Sequence, residues 1–414
     1  MIDWKTYKLG EIGEIIGGGT PSSTKKDYYN GNIAWITPRD LSNHGSMFIS
    51  KGERSITELG LKNSSARILP PGTILLTSRA PIGYLAIAEN EVCTNQGFKS
   101  IVIDDNFALN KFVYYLIKSN IDLLIQNASG STFLEISGSV LKNLAFKFPP
   151  LSEQRSIASI LSALDDKIEL NLQMNKTLKE MAMALYRHWF VDFGPFQNRK
   201  FVESELGKIP EGWEVNKIGN IIETVGGGTP STSKTEFWEN GDILWYSPTD
   251  LTRENSLFSF DTAKKITPLG LQKSSSRLFP KNSLLMSSRA TIGLLTINTE
   301  PACTNQGFIT MLPNEKLSVY QLYFWVKQNM DLIISKSNGS TFKEINKSNF
   351  RDLNVIVGKN IEPYLRETES IFDLIKNNIG EIKILTTLRD TLLPKLISGQ
   401  IRVKDAEQMV TANL

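Results

Sequence analysis

The chain is written twice. GGGTPS at Gly17–Ser22 returns at Gly226–Ser231, and CTNQGF at Cys93–Phe98 returns unchanged at Cys303–Phe308. SRAPIG at Ser78–Gly83 returns as SRATIG at Ser288–Gly293, and GSTF at Gly130–Phe133 recurs at Gly339–Phe342. Trp35, in IAWITPRDL, has its counterpart in Trp245, in ILWYSPTDL. Even the entry repeats, with Trp4, Leu9-Gly10 and Ile12 matching Trp213, Ile218-Gly219 and Ile221. The offset stays near 210 residues throughout. A period that long is a whole domain and not a solenoid turn, so whatever one half folds into, the other must fold into as well.

Each copy ends in a long helical stretch. In Leu151–Phe193, residues Ile157, Leu161, Leu164, Ile168, Asn171, Asn175, Leu178, Ala182, Leu185 and Trp189 follow at alternating steps of four and three, which is a coiled-coil seam with two Asn set into it. The two Asn are read as register-setting residues. About 38 residues at 1.5 Å each give a rod of roughly 57 Å. Such a seam must be buried against a partner, because an isolated helix has no reason to carry it. The partner is predicted in the same chain, in Glu362–Ser398, where Phe372, Ile375, Ile379, Ile382, Leu385, Leu388, Leu392 and Leu396 keep the spacing apart from one 3-3 stammer.

Between the helical stretches the composition is that of mixed globules. In the first, Ile33–Thr37, Ile74–Thr77, Leu85–Ala88 and Ser100–Ile103 read as short strands, and Leu109–Asn127 as one amphipathic helix. Leu317–Ile334 is the matching helix of the second. The repeated motifs fall in Gly-, Ser-, Asn- and Pro-rich segments, hence on loops or strand ends, where recognition usually sits. Gly194–Gly212 reads as a polar connector. No apolar run reaches the length of a membrane span and Met1–Glu14 has no secretory core, so a cytoplasmic protein is expected. Cys93 and Cys303 occupy one position in the two copies and are expected to fill equivalent core sites without bonding to each other.

Catalytic chemistry finds no foothold. His44 and His188 are the only histidines and no Cys clusters with them, which argues against a metal site. There is no G-x-S-x-G elbow, and GGGTPSSTK at Gly17–Lys25 lacks the spacing of a phosphate loop. Nor is there an Asn-Pro-Pro-aromatic tetrapeptide of an amino-methylating enzyme. The residue types instead suit binding. Two similar globules and a paired-helix rod, related by a pseudo-two-fold, match the symmetry of a DNA duplex. The net charge of +3 is neutral on this point, since a basic face can coexist with acidic helices.

The candidate DNA-binding residues follow from the motif loops. In the first globule they are Thr20, Ser22, Ser23, Lys25, Lys26, Thr37, Arg39, Asp40, Arg79, Asn95, Gln96 and Lys99. In the second they are Thr229, Ser231, Lys234, Ser247, Thr249, Asp250, Arg289, Asn305 and Gln306. Arg can fork to guanine, Asn and Gln to adenine, and Lys, Ser and Thr to phosphates. Plainer roles compete: the triple glycines as tight turns, Trp35 and Trp245 as core, Asn95-Gln96-Gly97 as a satisfied turn, and Arg79 and Arg289 as internal ion-pair residues.

The order GGGTPS, SRAPIG, TNQGF, GSTF, then PPLSEQRSIASIL, LDDKIELN, LYRHWFVDF and LGKIPEGWEV resembles the specificity (S) subunit of type I restriction–modification systems, over essentially the whole chain. The resemblance implies an α+β chain: target recognition domains at 1–150 and 210–360, a central helical region at 151–193, a connector at 194–209, a distal helical region at 361–398 and a tail at 399–414. It implies a non-catalytic subunit whose two recognition domains read the halves of a bipartite, asymmetric DNA target, with an antiparallel coiled coil setting the gap. It implies two modification (methyltransferase) subunits docked on the helical regions, with AdoMet held by those partners and no cofactor in this chain, and restriction (endonuclease/translocase) subunits joining through the assembly. One departure stands out: KNIEPYLRE replaces the PLSEQRSIA of the central region. In a family whose recognition domains vary, positions that differ between the copies, such as Arg39 against Thr249, are better candidates for specificity than those that match. A stand-alone bipartite DNA-binding protein or interaction scaffold is the competing reading.

Overall fold

The computed structural model describes residues 4–42, 44–130, 132–339 and 343–413. The chain divides into two compact units, one of Met1–Asn171 with Glu381–Leu414, the other of Leu172–Gly380.

The first unit is built on a five-stranded sheet in the order Gly13–Gly17, Lys99–Ile103, Ile74–Ser78, Ile82–Ala88 and Phe48–Ile49. All neighbours are antiparallel except the last pair, in which Phe48 lies beside Ile87. The central strand Ile74–Ser78 is buried at every position, as its unbroken apolar run requires of a strand covered on both faces. A second sheet places Tyr29–Ile36 between Arg54–Ile56 and Cys93–Thr94. The strand Lys5–Lys8, not anticipated from sequence, pairs antiparallel with Ala145–Phe148 and so ties the start of the globule to the residues that enter the long helix. All four strands expected in this globule are present.

The expected single helix over Leu109–Asn127 is two, Asn110–Lys118 and Ile121–Gln126. The break has a local cause. Asn120 folds its amide back to donate to the Leu116 carbonyl at 2.7 Å, offering the backbone a rival to the next helical bond. The second unit repeats the correction: Val319–Gln328 and Met330–Ser335 flank Asn329, whose amide donates to the Trp325 carbonyl at 2.8 Å.

The second unit repeats the topology. Its five-stranded sheet runs Glu223–Val225, Phe308–Leu312, Leu284–Ser287, Leu295–Asn298 and Phe258–Ser259, and its three-stranded sheet places Ile243–Tyr246 between Lys264–Ile266 and Ala302–Thr304. The polar connector is not irregular. Phe201–Ser204 and Gly207–Pro210 form an antiparallel hairpin, and Phe193, Phe196 and Trp213 beside it pack edge-on in an aromatic cluster. Cys93 and Cys303 are free thiols with no exposed surface, and burial pushes the two up to about 11 and 12 respectively.

The two long helices are Leu151–Phe190 and Glu362–Ile397. Within the first unit, Asp165 bonds Arg389 and Asn171 bonds Glu381, so one number rises as the other falls and the pairing is antiparallel. Ile157, Leu161, Leu164, Leu385, Leu388, Leu392 and Leu396 share one core with the sheet and the short helices. Within the second unit, Asn378 donates to Asn175 at 3.0 Å and Trp189 packs on Tyr364 at 6.0 Å, again antiparallel. Both seam asparagines are buried and bonded across the pair, the geometry expected of register-setting residues. The tail also holds an unanticipated helix, Val403–Asn413, whose Ala406 is fully buried.

Candidate nucleic-acid interface

In each unit the repeated motifs converge on one hydrogen-bonded lattice at the strand ends. Trp35 is buried and its indole N–H donates to the Gly19 carbonyl at 2.9 Å. Gly19 N–H donates to Thr94 O at 2.9 Å, Asn95 N–H to Ile36 O at 3.0 Å, and Ser78 N–H to Gly97 O at 2.7 Å. Gly97 N–H closes on the Asn95 side-chain oxygen at 2.9 Å, and Ile136 N–H reaches Ser78 O at 3.0 Å. Thus GGGTPS, the Trp35 strand, SRAPIG, TNQGF and the segment after GSTF lock together. Ser131 and Ser340–Phe342 of the GSTF copies lie outside the described residues.

The second unit makes the same bonds. Trp245 Nε1–H donates to Gly228 O at 2.9 Å and Gly307 N–H to Asn305 Oδ1 at 2.8 Å. Gly228 N–H donates to Thr304 O at 2.9 Å, Asn305 N–H to Tyr246 O at 2.9 Å, Ser288 N–H to Gly307 O at 2.8 Å and Ile345 N–H to Ser288 O at 2.9 Å.

This lattice corrects the reading of the glycines. Gly17–Gly19 have no left-handed φ and make no tight turn. Gly18 and Gly19 are glycines because the chain passes flat against its neighbours there: a Cβ on Gly18 would collide with Asn95 O, and one on Gly19 with the Ser65–Ala66 backbone. In the second unit Gly227 and Gly228 meet Thr304–Asn305 and Ser275 in the same way.

The predicted residues then sort by what their side chains already hold. Gln96 and Gln306 are exposed, accepting from the hydroxyls of Thr20 and Thr229, which are also exposed. Ser22, Ser23, Lys25, Lys26, Ser231 and Lys234 stand on the exposed loops that follow the glycines. Lys234 leans over the Phe237 ring at 5.2 Å. Arg39 is 84 % exposed and only loosely paired with Glu53 at 3.8 Å, and Thr249 in the matching place is exposed too. These side chains are free to meet a ligand.

Others are engaged inside the fold. The Asp40 carboxylate accepts from Thr37 N–H at 2.7 Å, the Thr37 hydroxyl at 2.6 Å and Glu53 N–H at 2.7 Å, which caps the short helix Pro38–Ser42. Asp250 does the same for Ser247 and Ala263 and is 3 % exposed, so its direct contact with a ligand is replaced by a capping role. Asn95 and Asn305 close their own turns. Arg79 and Lys99 both bind Glu135, at 3.3 and 3.4 Å. Arg289 is half-buried, with its backbone bridged to Glu344.

Two cations escaped the sequence reading. Arg54 lies over the rings of Tyr29 and Trp35, 4.4 and 5.3 Å from their centroids, and Lys264 lies over Trp238 at 5.5 Å. They are the same strand position, opposite Trp35 and Trp245 in the sheet register. The signal was present: RSITELGLKNSSARILP at Arg54–Pro70 repeats as KKITPLGLQKSSSRLFP at Lys264–Pro280. Among the described residues no group of three or more His, Cys, Asp or Glu side chains could hold a metal ion, and no helix is long and apolar enough to cross a membrane.

This duplicated architecture has relatives. The family described as Type I restriction modification DNA specificity domain matches residues 1–180 and 210–392, both copies and most of both helices. The chain belongs to the type I restriction–modification specificity subunits. The MjaIX specificity subunit of Methanocaldococcus jannaschii is 37 % identical over 97 % of this chain and 94 % of its own length. The HindI specificity subunit of Haemophilus influenzae is 26 % identical over 97 % of this chain and 100 % of its own. A crystal structure of the S subunit of a type I system from M. genitalium shares the fold, with a TM-score of 0.62 and 17 % identity over 95 % of this chain and 96 % of that one. In this specificity subunit the motifs shared between the copies form one hydrogen-bonded scaffold in each unit, and exposed side chains that differ, such as Arg39 and Thr249, are carried on it.

Proposed function

We propose that this specificity subunit reads a bipartite, asymmetric DNA target, each globule taking one half-site and the coiled coil setting the gap. The observation that carries this reading is a lattice built twice with the same hydrogen bonds while the exposed side chains on it differ, Arg39 against Thr249 and Arg54 against Lys264. One scaffold with two sets of readers is what two related but unequal half-sites need. Thr20, Ser22, Ser23, Lys25, Lys26, Arg39, Gln96 and Arg54 are assigned to contact in the first globule. Thr229, Ser231, Lys234, Thr249, Gln306 and Lys264 are assigned to it in the second. Thr37, Asp40, Asn95, Ser247, Asp250 and Asn305 hold those loops in place, and Arg79, Lys99 and Arg289 flank them.

The chain acts without catalysis of its own. Two modification subunits, which hold the AdoMet, dock on the helical regions, and restriction subunits join through them, in the cytoplasm. The helices offer suitable surface: Leu170, Leu172, Met174 and Met181 on one, and Leu374 and Ile384 on the other, are 40–53 % exposed. The domain limits follow the same reading, with recognition domains at 1–150 and 210–360.

Selection from a randomised duplex library tests the proposal, with the chain co-purified with its modification subunit. Two enriched blocks at one fixed spacing are expected. One contiguous block would mean that a single globule reads DNA, and no enrichment with AdoMet added would favour an interaction scaffold.

A further inference from the structure

Phe133 is the most exposed large apolar side chain among the described residues, at 73 %, and its neighbour Leu134 is 47 % exposed. The loop that carries it cannot fold it away. Ser129 and Glu135 exchange both backbone hydrogen bonds, at 3.0 and 2.9 Å, and close the loop at its neck. Gly130 holds φ +135, and a Cβ there would strike the Phe133 carbonyl oxygen, so the reversal that turns Phe133 outward needs glycine. Below the neck, the Glu135 carboxylate is clamped by Arg79 and Lys99. Ile136 N–H fixes the strand to Ser78, which is itself bonded to Gly97 of the TNQGF turn. Phe133 therefore stands on the lattice that presents Gln96 and Thr20.

Its surroundings say what it meets. Phe133 borders a cleft of about 480 Å³ whose other walls are Arg79, Ala80, Thr132 and Glu135. A protein-docking anchor sits inside a wider apolar patch. Here the exposed apolar side chains of the loop are Phe133 and Leu134, and the cleft beside them is walled mainly by polar groups, with two cations to one carboxylate at its base. An apolar wedge beside such a cluster suits insertion at a base step.

We propose that Phe133 enters the stacked bases of the first half-site and stacks on one of them. This rests on the reading of the first globule as DNA-binding. The matching loop of the second unit keeps the neck, with Asn338 and Glu344 exchanging backbone bonds at 2.8 and 2.9 Å.

The test uses the full chain with its modification subunit and the selected duplex, with 2-aminopurine placed at each step of the first half-site in turn. Wild type should brighten the probe at one step. Phe133→Ala should abolish that signal and weaken binding about tenfold, within the range for one base–aromatic stack, while Phe133→Trp should preserve both. The side chain is exposed, so Phe133→Ala should melt as wild type does. Unchanged fluorescence and affinity in Phe133→Ala would overturn the proposal. So would loss of co-purification with the modification subunit, which would make Phe133 a protein contact. Failure of wild type to bind any duplex would overturn the DNA reading beneath it, and is told apart by the wild-type control.

Discussion

Removing the Asp165 carboxylate should loosen the helix pair of the first unit more than any surface change on it. Asp165 holds the Arg389 guanidinium at 2.6 Å with both side chains 16 % exposed, and accepts from the Tyr115 hydroxyl at 2.7 Å. Tyr115 has no exposed surface, and Lys118 stands 3.9 Å from the Asp165 carboxylate. Burial lowers the pKa of the Lys118 ammonium, and Asp165 opposes that shift. Breaking a buried pair by deleting one partner costs about 3–5 kcal/mol. The residual exposure, and Asp390, which stays on Arg389 at 2.8 Å, place Asp165→Ala near the lower end, about 3 kcal/mol. For a unit of roughly 200 residues that is about 6–12 °C in Tm. Asp165→Asn should lose less, because the amide can still accept from Tyr115. The decisive assay is a thermal double-mutant cycle by circular dichroism with Arg389→Met. A coupling of at least about 1.5 kcal/mol is expected, and Asp165→Leu with Arg389→Met together should recover part of the loss, the Tyr115 hydroxyl being left without its acceptor. Additivity within about 0.5 kcal/mol would refute the pair as a unit of the fold.

Two further outcomes are expected from the helices. Asn171 is 1 % exposed and its side-chain oxygen has no hydrogen-bond partner among the described residues, so Asn171→Leu should raise Tm by a few degrees while sedimentation shows new self-association; a lowered Tm would count against the register role. Matched insertions of one turn in the two helices add about 5.4 Å against about 3.4 Å per base step, so the gap between selected half-sites should lengthen by roughly one to two base pairs, and an unchanged gap would sink the coiled coil as ruler.

Much of this fold was legible because the repeat exposed it. The seam residues Ile157 to Trp189 could be read as a buried stripe because helical spacing is a local property, and Asn171 and Asn175 declared themselves as exceptions within it. The helix breaks at Asn120 and Asn329 were hidden, because apolar periodicity continues across them and only the folded-back amides show the interruption. The strand Lys5–Lys8 was equally hidden, since its partner Ala145–Phe148 lies at the far end of the globule and pairing across that separation leaves no local mark. At the candidate interface, residue type pointed to Arg79, Lys99, Asp40 and Asp250 as readily as to Gln96 or Arg39. Only the partners distinguish them: Glu135 and the helix caps consume the first four, and the last two remain turned outward.

The side chain of Gln154 is 1 % exposed and bonds to main chain: it accepts from Leu109 N–H at 3.0 Å and donates to the carbonyls of Pro149 at 2.9 Å and Phe107 at 3.2 Å. Mechanically, the helix has no bearing at its root. A joint that could swivel would absorb a load applied along the helix; this one is fastened to the Phe107–Leu109 segment that leads into the helix Asn110–Lys118, and passes torque into it. A twist applied to this helix within the first unit would therefore turn the helix Asn110–Lys118 with it, as a handle turns a key.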